Sequence, residues 1–322
     1  MSASKAVAEA AGTDAASVWV LADPRPGTAN QALGIAERLG VPVRVVPLAW
    51  GPLARLPWPW PTLAGLGPAA RALLRPPWPR VVISAGRRSA PIALWLKQHG
   101  ARAVHAMRPG FGASSFDLLV LGQHDRPPQA PNVIAILGAC HRLSPAVLAA
   151  ARTRWCDLPT LPSPRVAVLV GGPVRGQRMA DAEARGLIRA VRDRFPGGSF
   201  LVSTSRRTGR HASAAIAEAL AGVPHRLFRW GDAGENPYAG FLAWAEAIVV
   251  TADSVSMLAE ACATAAPVFV AGDAAGRHAR LVASLVAAGR VARLGEPAPS
   301  AVVPIDEAGR VAAEIRARGW LG

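Results

Sequence analysis

Short apolar runs, each followed by a polar loop and a helix-forming stretch, recur along this 322-residue chain, stop at a proline-rich segment and start again. The first series begins with the strand Val18–Ala22, the turn Asp23-Pro24-Arg25-Pro26-Gly27 and a helix around Asn30–Leu39, with a second strand at Val43–Pro47. It continues with Arg80–Ser84, the loop Ala85–Ser89, a helix through Lys97, and short strands near Arg102–His105, Phe116–Leu121 and Asn132–Leu137. The second series opens with Arg165–Val170, a Gly171-Gly172-Pro173 turn and a helix through Arg194. Phe200–Ser203, a helix near Ser213–Leu220 and His225–Phe228 follow, and a helix around Asp306–Arg318 closes the chain. Apolar strands alternating with helices predict parallel sheets covered on both faces. The expected fold is therefore α/β: two Rossmann-like doubly wound domains facing a cleft. Residues 1–16 read as a disordered leader, 17–154 as the N-terminal domain, and 165–322 as the C-terminal domain. The proline-rich Trp155–Pro164 (WCDLPTLPSP) reads as the linker, and the last helix is free to pack back on the N-terminal domain.

In such sheets ligands bind at the carboxyl ends of strands, where a helix begins. The segment Asn236–Gly272 offers the fullest example. It reads as a helix, a buried strand (Ala247–Thr251), a polar turn (Ala252-Asp253-Ser254), a helix carrying Glu260, and a strand from Pro267. Unpaired N–H groups at a helix start favour an anion, and Ser254 and Ser256 can add hydroxyl donors. Glu260 lies four residues beyond Ser256, on the same helix face, where it can accept hydrogen bonds from a sugar diol. The competing reading makes Ser254 a plain N-cap and Glu260 a solvated side chain.

Composition narrows the function classes. A hydrophobic fraction of 51% with 18% charged residues describes a well-packed globular protein. The net charge of +15 is carried almost wholly by arginine, Lys5 and Lys97 being the only lysines. The arginines are scattered, and no zinc-finger, basic-zipper or RNA-recognition signature accompanies them, so no dedicated nucleic-acid binding is expected. Anionic partners such as nucleotide phosphates or an acidic membrane leaflet are favoured instead. Cys140, Cys156 and Cys262 are widely spaced and give neither a disulfide framework nor a metal site. With no secretory signal and no run of roughly 20 apolar residues, a cytoplasmic protein is expected, soluble or peripheral on the inner membrane face.

Between the second and third strands, Pro47–Pro79 holds Trp50, Trp58, Trp60 and Trp78 among Arg55, Arg71 and Arg75. Prolines forbid one long helix, though Leu63–Leu74 can form a short one. Two readings stand: a bilayer contact through Trp58 and Trp60, or a proline-rich loop whose tryptophans pack on the domain.

Other strand-end loops carry polar groups. Arg206 and Arg207, in STSRRT, can neutralise a diphosphate by bidentate donation, and Arg87 and Arg88, after Gly86, can grip an acceptor phosphate or the donor. Asp23, Arg25, Gly27, Asn30 and Gln31 form the first such loop, where glycine lets a ligand approach the backbone and the amides can bond a sugar or anion. His124 and Asp125 follow the strand Phe116–Leu121; either can serve as the base that takes an acceptor proton, and their side chains are expected to diverge. The rival reading is turn chemistry in Asp125-Arg126-Pro127-Pro128. No G-x-G-x-x-G or P-loop is present, so no cofactor is expected.

Several of these pieces resemble the family named for plant mitochondrial fission, the "elongated mitochondria" proteins. They are DPRPGTANQALGIAERLG (Asp23–Gly40), ISAGRRSAP (Ile83–Pro91), FDLLVLGQHDRP (Phe116–Pro127), NVIAILGACHRLSP (Asn132–Pro145), VAVLVGGP (Val166–Pro173), STSRRT (Ser203–Thr208) and Glu235–Val270, in that order. The family in turn is similar to glycosyltransferases of the two-Rossmann-domain (GT-B) kind, whose C-terminal domain binds a nucleotide sugar and whose N-terminal domain takes the acceptor. The resemblance implies that Gly171 and Gly172 form a close-approach loop, that Ser254 and Ser256 face the diphosphate, and that Glu260 grips the ribose. Asp253-Ser254 replaces the usual glycines at that helix start. The expectation is a metal-independent, GT-B-like transferase using a nucleoside-diphosphate sugar, acting on a membrane-associated or lipid-linked acceptor. Its rivals are a non-catalytic adaptor, since the plant relatives recruit a dynamin-like protein, and a nucleotide-sugar epimerase. Donor, acceptor and oligomeric state are not legible.

Overall fold

A computed structural model describes residues 17–173, 178–299 and 302–321; the leader expected over residues 1–16 lies outside them. The chain divides into unit 1, Met1–Arg142 with Glu307–Gly322, and unit 2, Leu143–Asp306.

Unit 1 is built from β1 (Val18–Ala22), α1 (Pro26–Glu37), β2 (Val43–Pro47), α2 (Pro68–Ala72), β3 (Val81–Ala85), α3 (Ala90–Gln98), β4 (Arg102–Ala106), β5 (Leu118–Gly122) and β6 (Val133–Ile136), closed by a C-terminal helix, Glu307–Ala317. The strands form one parallel sheet in the order β2-β1-β3-β4-β5-β6. Successive side chains of β1 go to opposite faces, as strand geometry requires. Val18 and Val20 join Ile35, Ile83 and Val104 on one side, while Trp19 and Leu21 join Val82, Leu96 and Leu119 on the other. The C-terminal helix buries Ala308, Val311, Ala312 and Ile315 in the first of these clusters, the i, i+3, i+4, i+7 stripe of an amphipathic helix. Glu307 anchors its start by accepting the N–H of Leu137 at 2.7 Å.

The tryptophan-rich connection is tied by long-range contacts. A bridge pairs Trp50 with Leu66, and Gly67 N–H donates to Ala49 O at 2.8 Å. Residues 63–67 are thereby committed elsewhere, and the short helix expected over Leu63–Leu74 shrinks to α2 with Pro68 at its first turn. The tryptophans of this segment differ in burial. Trp78 packs edge-on against Trp19 and Trp95, whereas Trp60 is 56% exposed.

Unit 2 runs α4 (Pro145–Arg154), β7 (Arg165–Val170), α5 (Asp181–Arg194), β8 (Ser199–Thr204), α6 (Arg210–Ala219), β9 (His225–Phe228), α7 (Tyr238–Trp244), β10 (Ala247–Thr251), α8 (Val255–Ala261), β11 (Val268–Ala271), α9 (Gly276–Ala287) and β12 (Val291–Arg293). Its parallel sheet has the order β12-β11-β10-β7-β8-β9. The chain enters this unit at Leu143, ahead of the proline-rich segment, because α4 packs on α7 and Leu158 is buried. The proline-rich Trp155–Pro164 therefore lies inside unit 2, and the C-terminal helix, α10, inside unit 1.

Both units are thus doubly wound Rossmann-like domains. In each, strand order reverses once, between β1 and β3 in unit 1 and between β7 and β10 in unit 2. That reversal opens a crevice at the carboxyl ends of the two strands, where an α/β sheet takes its ligand.

Candidate functional site

In unit 2 the reversal brings together the loops after β7, β8 and β10. Thr251, the last residue of β10, accepts the Gly171 N–H on Oγ1 at 2.8 Å and donates to Asp253 Oδ1 at 2.7 Å. The other Asp253 oxygen accepts the Gly172 N–H at 2.7 Å. Ser205 donates to Gly171 O at 2.6 Å, and Thr208 donates to Val170 O at 2.9 Å, so the STSRRT loop is pinned to the end of β7. Arg207 reaches Asp253 O at 3.3 Å.

This network corrects the reading of the glycines as space for a ligand. A Cβ on Gly171 would collide with the Asp253 carboxylate, and one on Gly172 would collide with the backbone of Arg207 and Thr208. Gly172 also has φ +150°, at the edge of the region that favours glycine. The protein's own side chain and backbone fill the room beside both residues.

The α8 start is closed in the same manner. Ser254 is the N-cap, its Oγ accepting the Met257 N–H at 3.4 Å, and it is buried. Of the two readings given to Ser254, the cap is the one that the geometry displays. Ser256 is half-buried on the following turn. Glu260 is half-buried, and its Oε2 accepts the hydroxyl of Tyr238, the chain's one tyrosine, at 2.6 Å. Desolvation of the carboxyl pushes its pKa up to about 7, and the Tyr238 hydrogen bond opposes that rise. Burial and the neighbouring carboxylate push the Tyr238 phenol well above its ordinary value.

A cavity of about 850 Å³ opens at this crevice. Pro173, Thr251 and Asp253 line it, together with the polar residues Arg178, Glu183, Asp273 and His278. Its apolar lining is Met179, just ahead of α5, Leu187 and Ala190 on α5, and Leu294. The volume falls in the range of small-molecule sites, and the mixture of one apolar wall with a few convergent polar groups is their usual chemistry. None of Arg206, Ser256 and Glu260 lines it. Arg206 instead lines a second cavity of about 550 Å³ with Arg210, Arg229 and the exposed Trp230 at the ends of β8 and β9. Arg178, Glu183, Asp273 and His278 are not among the candidates that the sequence offers, although Asp273 follows the end of β11 and His278 lies in the first turn of α9.

In unit 1 the loops after β1 and β3 also meet. Asp23 is buried and accepts from the Arg25 backbone and side chain, both at 2.8 Å, so this loop is internally braced. A Cβ on Gly86 would touch Thr28 and approach Arg25, which places the Gly86 loop beside the first loop. Gly27, Asn30 and Gln31 belong to α1 itself, with Gln31 buried, Asn30 half-buried and Gly27 exposed. Arg87 is exposed, its stem lying along Gly110, while Arg88 stands over the Trp50 ring at 5.9 Å. His124 is only 3% exposed, its ring folded against Gly122. The expected divergence of His124 and Asp125 is overturned: Nε2 and Oδ2 are 3.7 Å apart, because the residues form a 3-10 turn ended by Arg126 at φ +52°. Arg108 also donates to the Asp125 carbonyl.

The geometry can be set against known proteins. A family model described as mitochondrial fission ELM1 matches residues 26–319. The chain belongs to the mitochondrial fission ELM1 family. The Arabidopsis thaliana mitochondrial fission protein ELM1 is 30% identical over 235 residues, which are 65% of this chain and 55% of that one. The match thus spans about half the length of the plant relative. An uncharacterized Rickettsia prowazekii protein is 24% identical over 306 residues, 79% of this chain and 82% of its own.

Solved structures similar to this ELM1-family chain share its fold at low identity. A UDP-N-acetylglucosamine 2-epimerase from Listeria monocytogenes (described as putative) has TM-score 0.55 and 13% identity, covering 93% of this chain and 94% of its own. The Methanocaldococcus jannaschii UDP-GlcNAc 2-epimerase has TM-score 0.54 and 12% identity over 94% and 99%. Os79 from O. sativa, solved in complex with UDP, has TM-score 0.54 and 13% identity over 94% and 93%. These likenesses establish the GT-B type of fold for the family member in hand.

Proposed function

We propose that unit 2 binds a nucleoside-diphosphate sugar in the cavity at the β7/β10 reversal and that the protein is a GT-B-like transferase. The observation that carries this reading is that cavity of about 850 Å³, placed where the topology puts a ligand. Arg178 and His278 offer donors for a diphosphate, Glu183 and Asp273 offer acceptors for sugar hydroxyls, and the α5 wall offers an apolar surface for the base. Charge on the leaving diphosphate is met by these side chains, without a metal. UDP as ligand of the fold-related Os79 and UDP-GlcNAc 2-epimerases of the same fold make a uridine nucleotide the first to try. Acceptor binding falls to unit 1, at Arg25 and Arg87 beside its own reversal.

Calorimetric titration with UDP- and GDP-sugars tests the reading. Saturable binding that is lost when Ala190→Trp fills the α5 wall is the expected result, and no binding at millimolar nucleotide would end it. Incubation with donor alone separates transfer from epimerisation, which needs no acceptor.

One observation favours a second reading, a binding or recruitment protein without turnover. The Asp253 carboxylate already occupies the Gly172 N–H, where a phosphate oxygen would otherwise be received. On that reading nucleotide binds and neither hydrolysis nor transfer follows, and substituting Asp253 leaves the cellular phenotype intact.

A further inference from the structure

An uncompensated apolar surface lies in unit 1, whereas the cavity proposed to hold nucleotide is lined by residues of unit 2. The bridge between Trp50 and Leu66 closes a loop over residues 51–65, and the tip of that loop is apolar. Leu53 is 47% exposed, Leu56 51% and Trp60 56%. Phe111 is 49% exposed, and it lines one small groove with Leu56 and Trp58. Large exposed side chains scattered singly need no explanation, but a contiguous group does.

The loop holds them outward by its own bonds. Trp58 Nε1 donates to Leu53 O at 3.0 Å, and the Trp58 ring meets Trp60 edge-on at 5.7 Å. Pro52, Pro57, Pro59 and Pro61 fix φ along the tip, so few conformations remain to be lost on contact. Nothing in this arrangement buries Leu56 or Trp60 inside unit 1.

Charge identifies what covers them. Between Glu37 and Asp117 the chain contains no acidic residue, while Lys97 and ten arginines lie in that interval. Arg55 stands exposed on the apolar tip, Arg71 donates to Leu63 O at the loop's base, and Arg87 and Arg88 line the groove beside Trp58 and Phe111. No carboxylate pairs with Arg55, Arg71, Arg87 or Arg88 among the described residues. Indole rings settle at the headgroup level, leucines reach the acyl boundary, and arginines pair with phosphates around them. The tip projects outward, and a fluid bilayer needs no complementary cleft to receive it. No helix among the described residues is long and apolar enough to cross a membrane, and none is needed.

We propose that the Gly51–Gly65 loop, with Phe111 and the surrounding arginines, is a docking surface for an anionic lipid bilayer. The surface is independent of nucleotide binding in unit 2.

Flotation of the full chain with phosphatidylcholine vesicles, alone or mixed with phosphatidylglycerol, tests it. The chain should float with the anionic vesicles and release as salt is raised. The double substitution Leu56→Ser and Trp60→Ser should weaken partition at least about tenfold through lost apolar burial. Arg55→Gln should weaken it about fivefold on anionic vesicles only. Trp230→Ser removes an equally exposed indole, 57% exposed, from unit 2 and should change nothing. The altered side chains are exposed, so thermal unfolding of each variant should match the parent. Failure to float with anionic vesicles overturns the proposal. So does wild-type partition of the Leu56/Trp60 variant, or an equal loss in Trp230→Ser.

Discussion

The Gly172 N–H donates to Asp253 Oδ2 at 2.7 Å across 81 residues of chain, joining the loop after β7 to the loop after β10. A carboxylate here does what a bound anion would do, and it also crowds a cavity that already carries Asp273. Replacing it therefore has two effects of opposite sign. Asp253→Asn should lower stability by about 1 kcal/mol or more, because the amide keeps one neutral acceptor oxygen where the carboxylate accepts on two. The same change removes a negative charge from the cavity and should tighten UDP binding severalfold. Urea unfolding and calorimetric titration of one protein sample check both directions. Weaker UDP binding by the asparagine variant would mean that the carboxylate itself holds the ligand.

A different lever acts on the α5 wall. Gly186 lines the cavity, and a Cβ there meets no atom within 4 Å. Gly186→Ala should stabilise α5 by about 0.5–1 kcal/mol through helix propensity. Gly186→Leu should keep most of that gain, since its side chain enters empty space, yet weaken nucleotide binding by about tenfold or more. Melting temperature and UDP affinity would then move in opposite directions, which simple loss of fold cannot produce. By contrast, Gly172→Ala should cost about 2–4 kcal/mol, its methyl meeting the Arg207 backbone.

The strands of both units were legible because their residues are β-branched or aliphatic and buried on both faces, as VWVLA in β1 and AIVVT in β10 show. Helix starts were less so: Pro26 begins α1 inside the Asp23–Gly27 turn expected to precede the helix. The short α2 could not be foreseen, since the Trp50–Leu66 bridge that curtails it joins residues on either side of a loop. Strand-end loops were found from sequence, and Asp253 and Gly171-Gly172 do meet. What sequence could not give is that Asp253 fills the space beside those glycines, which depends on how β7 and β10 register. Glu260 was assigned from spacing on its own helix, whereas its partner Tyr238 comes from the preceding one. The cavity wall was missed for the same reason, because Gly186, Leu187 and Ala190 carry no chemistry of their own.

Acid stability should report on unit 1 through His105. Its ring is fully buried, Nδ1 lies 2.7 Å from Ser84 Oγ, and desolvation lowers its pKa to about 3. In an unfolded chain histidine titrates near 6.5. The folded state therefore binds fewer protons than the unfolded state between those values, and stability falls as pH drops from about 6.5 towards 3. His105→Gln keeps a polar partner for Ser84 and should remove about one proton from the slope, about 1.4 kcal/mol per pH unit. Denaturant midpoints from pH 4 to 6 compare the slopes, and parallel slopes would show that His105 does not carry the dependence.

Glu260 sets the opposite trend in unit 2. Its carboxyl titrates at about 7 in the fold and at about 4.5 when exposed, so the folded state holds the proton more tightly. Stability from this group is fully present below about 4.5 and is lost as pH rises through 7. Between about 4.5 and 6.5 it opposes the contribution of His105, and above that only the Glu260 loss continues. Glu260→Gln, which still offers an oxygen to the Tyr238 hydroxyl, should be more stable than the parent at pH 8, by on the order of 1 kcal/mol, and indistinguishable near pH 4. Tyr238→Phe removes the donor that favours the carboxylate, so the midpoint should move above 7 and the alkaline loss should deepen. Carboxyl chemical shifts of Glu260 followed through pH 5–9 by NMR read the midpoint directly. A value unchanged in Tyr238→Phe would remove the hydrogen bond from the account.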